Sequence, residues 1–477
     1  MRKRLGAVIA LGLLLSLLVS SVSAQGVDPG TGKTNIFMQN LGTENAQVSV
    51  KFYREDSGAI DWDTTLDPIP PLGSRYLLFT QFGVADNWAG AGELASTQPL
   101  AAIVNMFWDG SNTAATYTGV DAPATEVYLP GLSKITGVQT RVSVQNTESV
   151  QTTVNLNFYN RNGTLVGTKV DTIPAKAEKT YYLDQVPECN FSATGGNGAL
   201  YITSSPAKIS AMASIHTARW SAAYSGVSSG DTTIWVPGVF RKLSGTTPSL
   251  YSAVTIQNLG NTTANVTINL LGIPGQANYS FNAQIPAKAS YGVNTVSVGQ
   301  MDPTIWNAMV AAIGNNWQGS IKVTSDQPLT ASGFYFMPSA TQDILGYNGF
   351  RDVDATTKLS MPAVYRKLTG AAQQISTTLV QNLSNTPGTL NVKFFGSDGL
   401  PKGNVAGYNV PLPANSSVRL HLQAGLELPA QALTDLGTEF SGAMLITSTG
   451  GQRIIGITNI LYTSLGRASG YPGFPIP

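Results

Sequence analysis

The sequence predicts an all-β protein: four tandem antiparallel β-sandwich domains in a semi-rigid row. Three observations carry this. A strand ending in Gln-Asn occurs four times, at Gln39-Asn40, Gln145-Asn146, Gln257-Asn258 and Gln381-Asn382, with spacings of 106, 112 and 124 residues. A repeat that long is a domain rather than a solenoid unit. Within each repeat, short runs alternate apolar and polar residues, the period of a strand with one buried face. Turn signals separate the runs every ~8–12 residues, which is the sandwich pattern. The spans are 1–24 for a leader and 25–124, 125–231, 232–356 and 357–477 for the four domains.

The leader reads as a secretory signal peptide. Arg2, Lys3 and Arg4 precede an apolar run from Leu5 to Val19, and Val22-Ser23-Ala24 is a small-residue cleavage pattern before Gln25. The run is short for a membrane span of ~20 residues. No second long apolar stretch follows, so no span is expected after cleavage and the chain is placed outside the cell or on its surface. Charged residues make up 12% of the sequence, about half the usual ~25%. Without the leader, 25 Lys and Arg face 27 Asp and Glu. That near-neutral balance excludes a nucleic-acid binder, which needs a basic stripe. The single cysteine, Cys189, rules out an intramolecular disulfide.

Each repeat follows one order. The Gln-Asn strand leads to an alternating strand that ends in aromatics, such as Val154-Asn155-Leu156-Asn157-Phe158-Tyr159. Asp56-Ser57-Gly58, Asn162-Gly163 and Asp398-Gly399 then make tight turns, because these residues tolerate positive φ. The third copy has Gly272-Ile273-Pro274-Gly275 instead. Ile69-Pro70, Ile173-Pro174, Ile285-Pro286 and Leu412-Pro413 mark corners, since proline cannot donate to a ladder. The third copy next inserts a helix over 302–314, with Asp302 as N-cap, Pro303 as first helical residue and Gly314 as stop. A shorter helix is expected from about Pro429 to Leu436.

The copies converge again at Trp88-Ala89-Gly90, Trp317-Gln318-Gly319 and Phe440-Ser441-Gly442, of which the second copy keeps only Gly198. Each repeat ends near a Tyr-x-Gly: Tyr117-Thr118-Gly119, Tyr224-Ser225-Gly226, Tyr347-Asn348-Gly349 and Tyr471-Pro472-Gly473. Junctions such as Leu129-Pro130-Gly131 and Val236-Pro237-Gly238 read as opening strands with a proline kink. The first copy lacks one. That leaves an edge which another chain's Phe474-Pro475-Ile476-Pro477 fits, an expectation of head-to-tail self-assembly.

Residues able to carry chemistry are few. Gly30-Thr31-Gly32-Lys33-Thr34 resembles the end of a phosphate loop, but Val27 stands where the first glycine belongs and a strand follows. Gly226-Val227-Ser228-Ser229-Gly230 spells a nucleophile elbow, yet it too leads into a strand rather than a helix. The two histidines, His216 and His421, lie in separate repeats. No cofactor is called for; the one candidate cation site is a calcium-type cluster of Asp56, Asp61 and Asp63 with Asp67 nearby, set against the plainer reading of a solvated hairpin tip. Trp62, Trp108, Trp220 and Trp306 do not recur between copies and are candidates for stacking on sugar rings.

The Val-x-Val-Gln-Asn strand, the following Val-x-Val-x-Phe-Tyr strand with its Asp-Gly turn, and the proline junctions resemble the tandem immunoglobulin-like modules of bacterial secreted and surface proteins. The resemblance covers residues 35–471 and implies a fold and an exported setting; it implies no activity. The expected function is that of a non-enzymatic structural component of the cell surface, forming a layer, filament or stalk. The alternative is an adhesin or carbohydrate-binding protein that meets extracellular glycans through exposed aromatics.

Overall fold

The computed structural model describes residues 11–17, 32–110, 113–337, 343–370, 373–464 and 466–476. Alternation does what its period predicts. In Thr152–Asn160, Val154, Leu156 and Phe158 are buried while Asn155, Asn157 and Tyr159 lie on the wetter face. The molecule is all-β, with several antiparallel sheets and two short helices. In the first repeat the strands are β1 (Leu11–Leu17), β2 (Gly32–Asn40), β3 (Val48–Arg54), β4 (Ile60–Thr65), β5 (Ser74–Leu77), β6 (Gly90–Ser96), β7 (Leu100–Trp108) and β8 (Thr113–Thr118). They form two four-stranded sheets, β1-β6-β3-β4 and β5-β2-β7-β8. The second repeat has the same two orders, and Glu126–Ser133 stands where β1 does. In the third and fourth repeats the two layers merge, because the strands Asp231–Ser244 and Lys358–Lys367 each pair in both layers.

The predicted helices form. Helix α1 spans Pro303–Ile313; Asp302 caps it by accepting from the backbone N–H groups of Thr304 and Ile305, and Gly314 ends it at φ 69°. Helix α2 spans Ala430–Leu436.

Two expectations are overturned. First, the opening position of the first repeat is filled in this chain. β1, drawn from the apolar leader, lies antiparallel to β6 from Leu11 against Ser96 to Leu17 against Gly90. The basic start and the cleavage pattern at Val22-Ser23-Ala24 lie outside the described residues. The C-terminal segment is also used within its own repeat. Phe474 and Pro475 pair with Ser360 and Leu359, as Phe350 and Arg351 pair with Trp235 and Ile234 one repeat earlier.

Second, the repeats do not run in a row; they close into a ring. Met212 and Ala223 of the second repeat pack into the core of the first. Phe334 of the third packs against the core of the second. Leu379, Ile455, Ile457 and Ala468 of the fourth enter the core of the third. Phe37 and Ile103 of the first enter the core of the fourth. Ser360 Oγ donates to Gln39 Oε1 across 321 residues of chain. At the centre, β8 and the strands Ser221–Ser225, Asp343–Asn348 and Arg467–Pro472 lie side by side in a closed circuit. A row would leave the apolar side chains of its two end faces in water, whereas full burial of a Leu, Ile or Phe side chain stabilises by about 1.5–3 kcal/mol.

Candidate functional site: the axial pocket

The four Tyr-x-Gly segments meet where the central strands end. Each junction strand is irregular at its proline kink, as the register shift between Pro237 and Val239 records. The tyrosine hydroxyl is tied to that irregularity. Tyr224 donates to Pro130 O, Tyr347 to Pro237 O, and Tyr471 to Ala363 O at 2.7 Å. Burial without a charged partner pushes the hydroxyls of Tyr224 and Tyr347 well above the usual phenol range, so both remain neutral donors.

With the tyrosines anchored, the following residues turn toward the axis and line a cavity of about 410 Å³. The residue after each glycine is apolar: Val120, Val227, Phe350 and Phe474. The residue before it differs every time: Thr118, Ser225, Asn348 and Pro472. A near-symmetric frame thus carries an asymmetric lining. Ser225 Oγ donates to Thr118 O at 2.6 Å, and Asn348 Nδ2 donates to Ser225 O at 2.6 Å. Asn348 Oδ1 is buried and accepts no hydrogen bond among the described residues.

Arg351 and Asp354 form an ion pair at 2.6 Å on the wall, and Arg351 Nη1 donates to Ser229 Oγ at 2.6 Å. The hydrogen bonds it donates to Asp354 hold the Arg351 guanidinium above its ordinary pKa. Asp121 and Ser228 add exposed polar groups. The wall therefore offers donors and acceptors spaced over an apolar floor, a pattern of orientation and specificity in small-ligand sites.

The residues singled out from the sequence lie elsewhere. Trp108 is 1% exposed and meets the His216 ring edge-on at 4.4 Å, so it presents no face for stacking. Trp62 is half-buried against Phe52 and Phe82, at 4.9 and 6.0 Å. Trp220 is half-buried edge-on to Phe336, and Trp306, half-buried on α1, donates from Nε1 to Asn294 O at 3.2 Å. The structure does not gather these four.

Nor does it make one cage of the acids. Asp61 pairs with Arg54 at 2.6 Å, Asp63 with Lys51 at 3.3 Å and Asp67 with Arg75 at 2.9 Å. Asp56 sits in a turn at φ 61°. Among the described residues no group of three or more His, Cys, Asp or Glu side chains is placed to hold a metal. His216 is buried between Ser214 Oγ and Ser221 Oγ, each at 2.9 Å, and burial lowers its pKa well below the usual imidazole value. Of the phosphate-loop look-alike, Gly30 and Thr31 lie outside the described residues and Lys33-Thr34 belongs to β2. The elbow look-alike, by contrast, is part of the axial wall. The available signal for the pocket was the variable residue inside an otherwise constant Tyr-x-Gly-apolar pattern.

No family model matches the sequence, and no curated protein matches it. Among solved structures, the crystal structure of Thermotoga maritima 1070 aligns with 26% of this chain and 96% of its own at 15% identity and a TM-score of 0.20. The Anabaena sensory rhodopsin transducer aligns with 22% of this chain and 87% of its own at 19% identity and a TM-score of 0.17. A glycoside hydrolase family 32 structure from Bifidobacterium adolescentis aligns with 98% of this chain and 95% of its own at 9% identity and a TM-score of 0.14.

Proposed function

We propose that this chain is an exported, non-enzymatic recognition module: four immunoglobulin-like units in a ring whose axial pocket takes a short saccharide. The observation that carries the reading is the convergence of all four Tyr-x-Gly segments on one cavity with an asymmetric polar wall. Neighbouring sugar hydroxyls are matched by side chains that offer paired donors and acceptors, here Asn348, Arg351 and Asp354. The apolar positions after each glycine suit the C–H faces of a sugar ring. A layer, filament or stalk would now have to be built from ring-to-ring contacts, since Phe474 and Pro475 are engaged within their own repeat.

A glycan-binding screen tests the reading. Saturable binding of at least one short glycan is expected, lost in Asn348→Ala and Arg351→Ala variants that keep their circular dichroism, and kept in Trp220→Ala. Binding that survives both pocket variants, or fails only with Trp220→Ala, would move the site to the exposed aromatics.

A further inference from the structure

Three of the four joints in the ring close in one way, and the fourth does not. The hairpin glycine of one repeat seats on the proline corner of the next. A Cβ at Gly58 would lie 1.9 Å from Ala175 O, one at Gly163 2.2 Å from Ala287 O, and one at Gly399 2.3 Å from Pro71 O. A backbone hydrogen bond reinforces each seat: Asp56 N to Glu178 O at 3.0 Å, Ser290 N to Arg161 O at 3.1 Å, and Ser74 N to Ser397 O at 3.0 Å. At the joint between the third and fourth repeats the corresponding Gly275 meets nothing within 4 Å.

That joint holds a cavity of about 190 Å³. Its apolar wall comes from Phe240, Leu250, Tyr335 and Met337 on one side and Leu379 and Leu461 on the other. Two polar features of the lining lack a counterpart. Gln318 is 2% exposed; its Oε1 accepts from Arg419 Nη1 at 3.3 Å, but its Nε2 has no acceptor among the described residues. A buried donor left unmade is costly, by about 1–3 kcal/mol. Lys242 is half-buried, stands 5.9 Å over the Phe240 ring, and has no ion pair among the described residues. Arg419 beside it is already held by Glu427 at 2.7 Å. The lining therefore carries one cation in excess beside an apolar hole.

We propose that this joint binds a small apolar carboxylate, its ring or short chain in the cavity and its carboxylate on Lys242 Nζ. The size follows from the volume: a dry apolar cavity of roughly 150 Å³ accepts benzene, so phenylacetate or hexanoate fits. The site lies apart from the axial pocket and does not rest on the saccharide reading.

Isothermal titration of the full chain with phenylacetate, and with neutral 2-phenylethanol as comparator, tests the proposal. The wild type is expected to bind phenylacetate saturably. Lys242→Met should weaken phenylacetate by roughly tenfold, the weight of a hydrogen bond to a charged group, and leave 2-phenylethanol unchanged. Leu250→Trp, which fills the cavity, should abolish both, and Asn348→Ala in the axial pocket should alter neither. Absence of saturable binding by a wild type with its normal unfolding temperature would overturn the proposal. So would equal losses for acid and alcohol in the Lys242 variant, or retention of binding in a folded Leu250→Trp variant.

Discussion

Asn258 shows why one dipeptide was used four times. It is fully buried, and its Nδ2 donates to the carbonyls of Thr262, Ile285 and Pro286 at 2.8, 2.9 and 3.1 Å while Oδ1 accepts from Gly260 N at 2.8 Å. One carboxamide thus fixes both the loop after its strand and the proline corner opposite. Asn146 makes the same set to Val150, Ile173, Pro174 and Glu148. Asn258→Ala strands buried carbonyls and should lower unfolding stability by about 2–4 kcal/mol, read as an earlier denaturant midpoint; an unchanged midpoint would contradict the role.

The buried carboxyl of Glu178 acts in the opposite sense. Burial, and then the neighbouring Glu55, push it well above the usual carboxylate range, and Oε2 has no hydrogen-bond partner among the described residues. A folded-state pKa raised in this way means that its stability contribution is present below the ordinary carboxylate pKa and is lost as pH rises through the raised one. Glu178→Gln should therefore raise the unfolding temperature at pH 8 and leave it nearly unchanged at pH 4. These residues differ in how readable they were. The asparagine's partners include residues two and four positions away, so the fourfold repeat of Gln-Asn announced it. Glu178 is set by Glu55 of another repeat, 123 residues away in the sequence, and no local pattern marks that meeting.

Among the elements, strands and helices were legible because period and caps are local properties. The aromatic partner of Gly198 was not. In the other copies the ring sits two residues before its glycine, as Trp317 covers Gly319. In the second copy Phe191 arrives from seven residues back, through the turn at Ser192–Thr194, and stands 2.4 Å from where a Gly198 Cβ would be. β1 is the other element that sequence alone did not place, because a leader is read as an address rather than as a strand. A chain beginning at Gln25 lacks the strand that covers β6. It should unfold at lower temperature than the full chain and be restored by a peptide of residues 9–19 added in trans. Equal rescue by a scrambled peptide of the same composition would show that the pairing has no sequence register.

The whole molecule is where sequence reasoning stopped short. Short junctions fit a row or a ring equally well. What decides is that each repeat offers one apolar face to the next and receives one from the last, and that the fourth finds the first. Phe107 meets Tyr462 edge-on at 5.6 Å, and Asp109 bridges Lys33 and, at 3.7 Å, Arg467. Ring closure creates the axial pocket, and the one joint closed differently creates the second cavity, so both proposed sites depend on it. Small-angle X-ray scattering of the monomeric chain tests closure most directly. A ring of this length should give a radius of gyration of about 23 Å, whereas four units of about 13 Å each laid end to end give about 40 Å. A value near the first supports the closed ring; a value near the second would contradict it and remove both pockets with it.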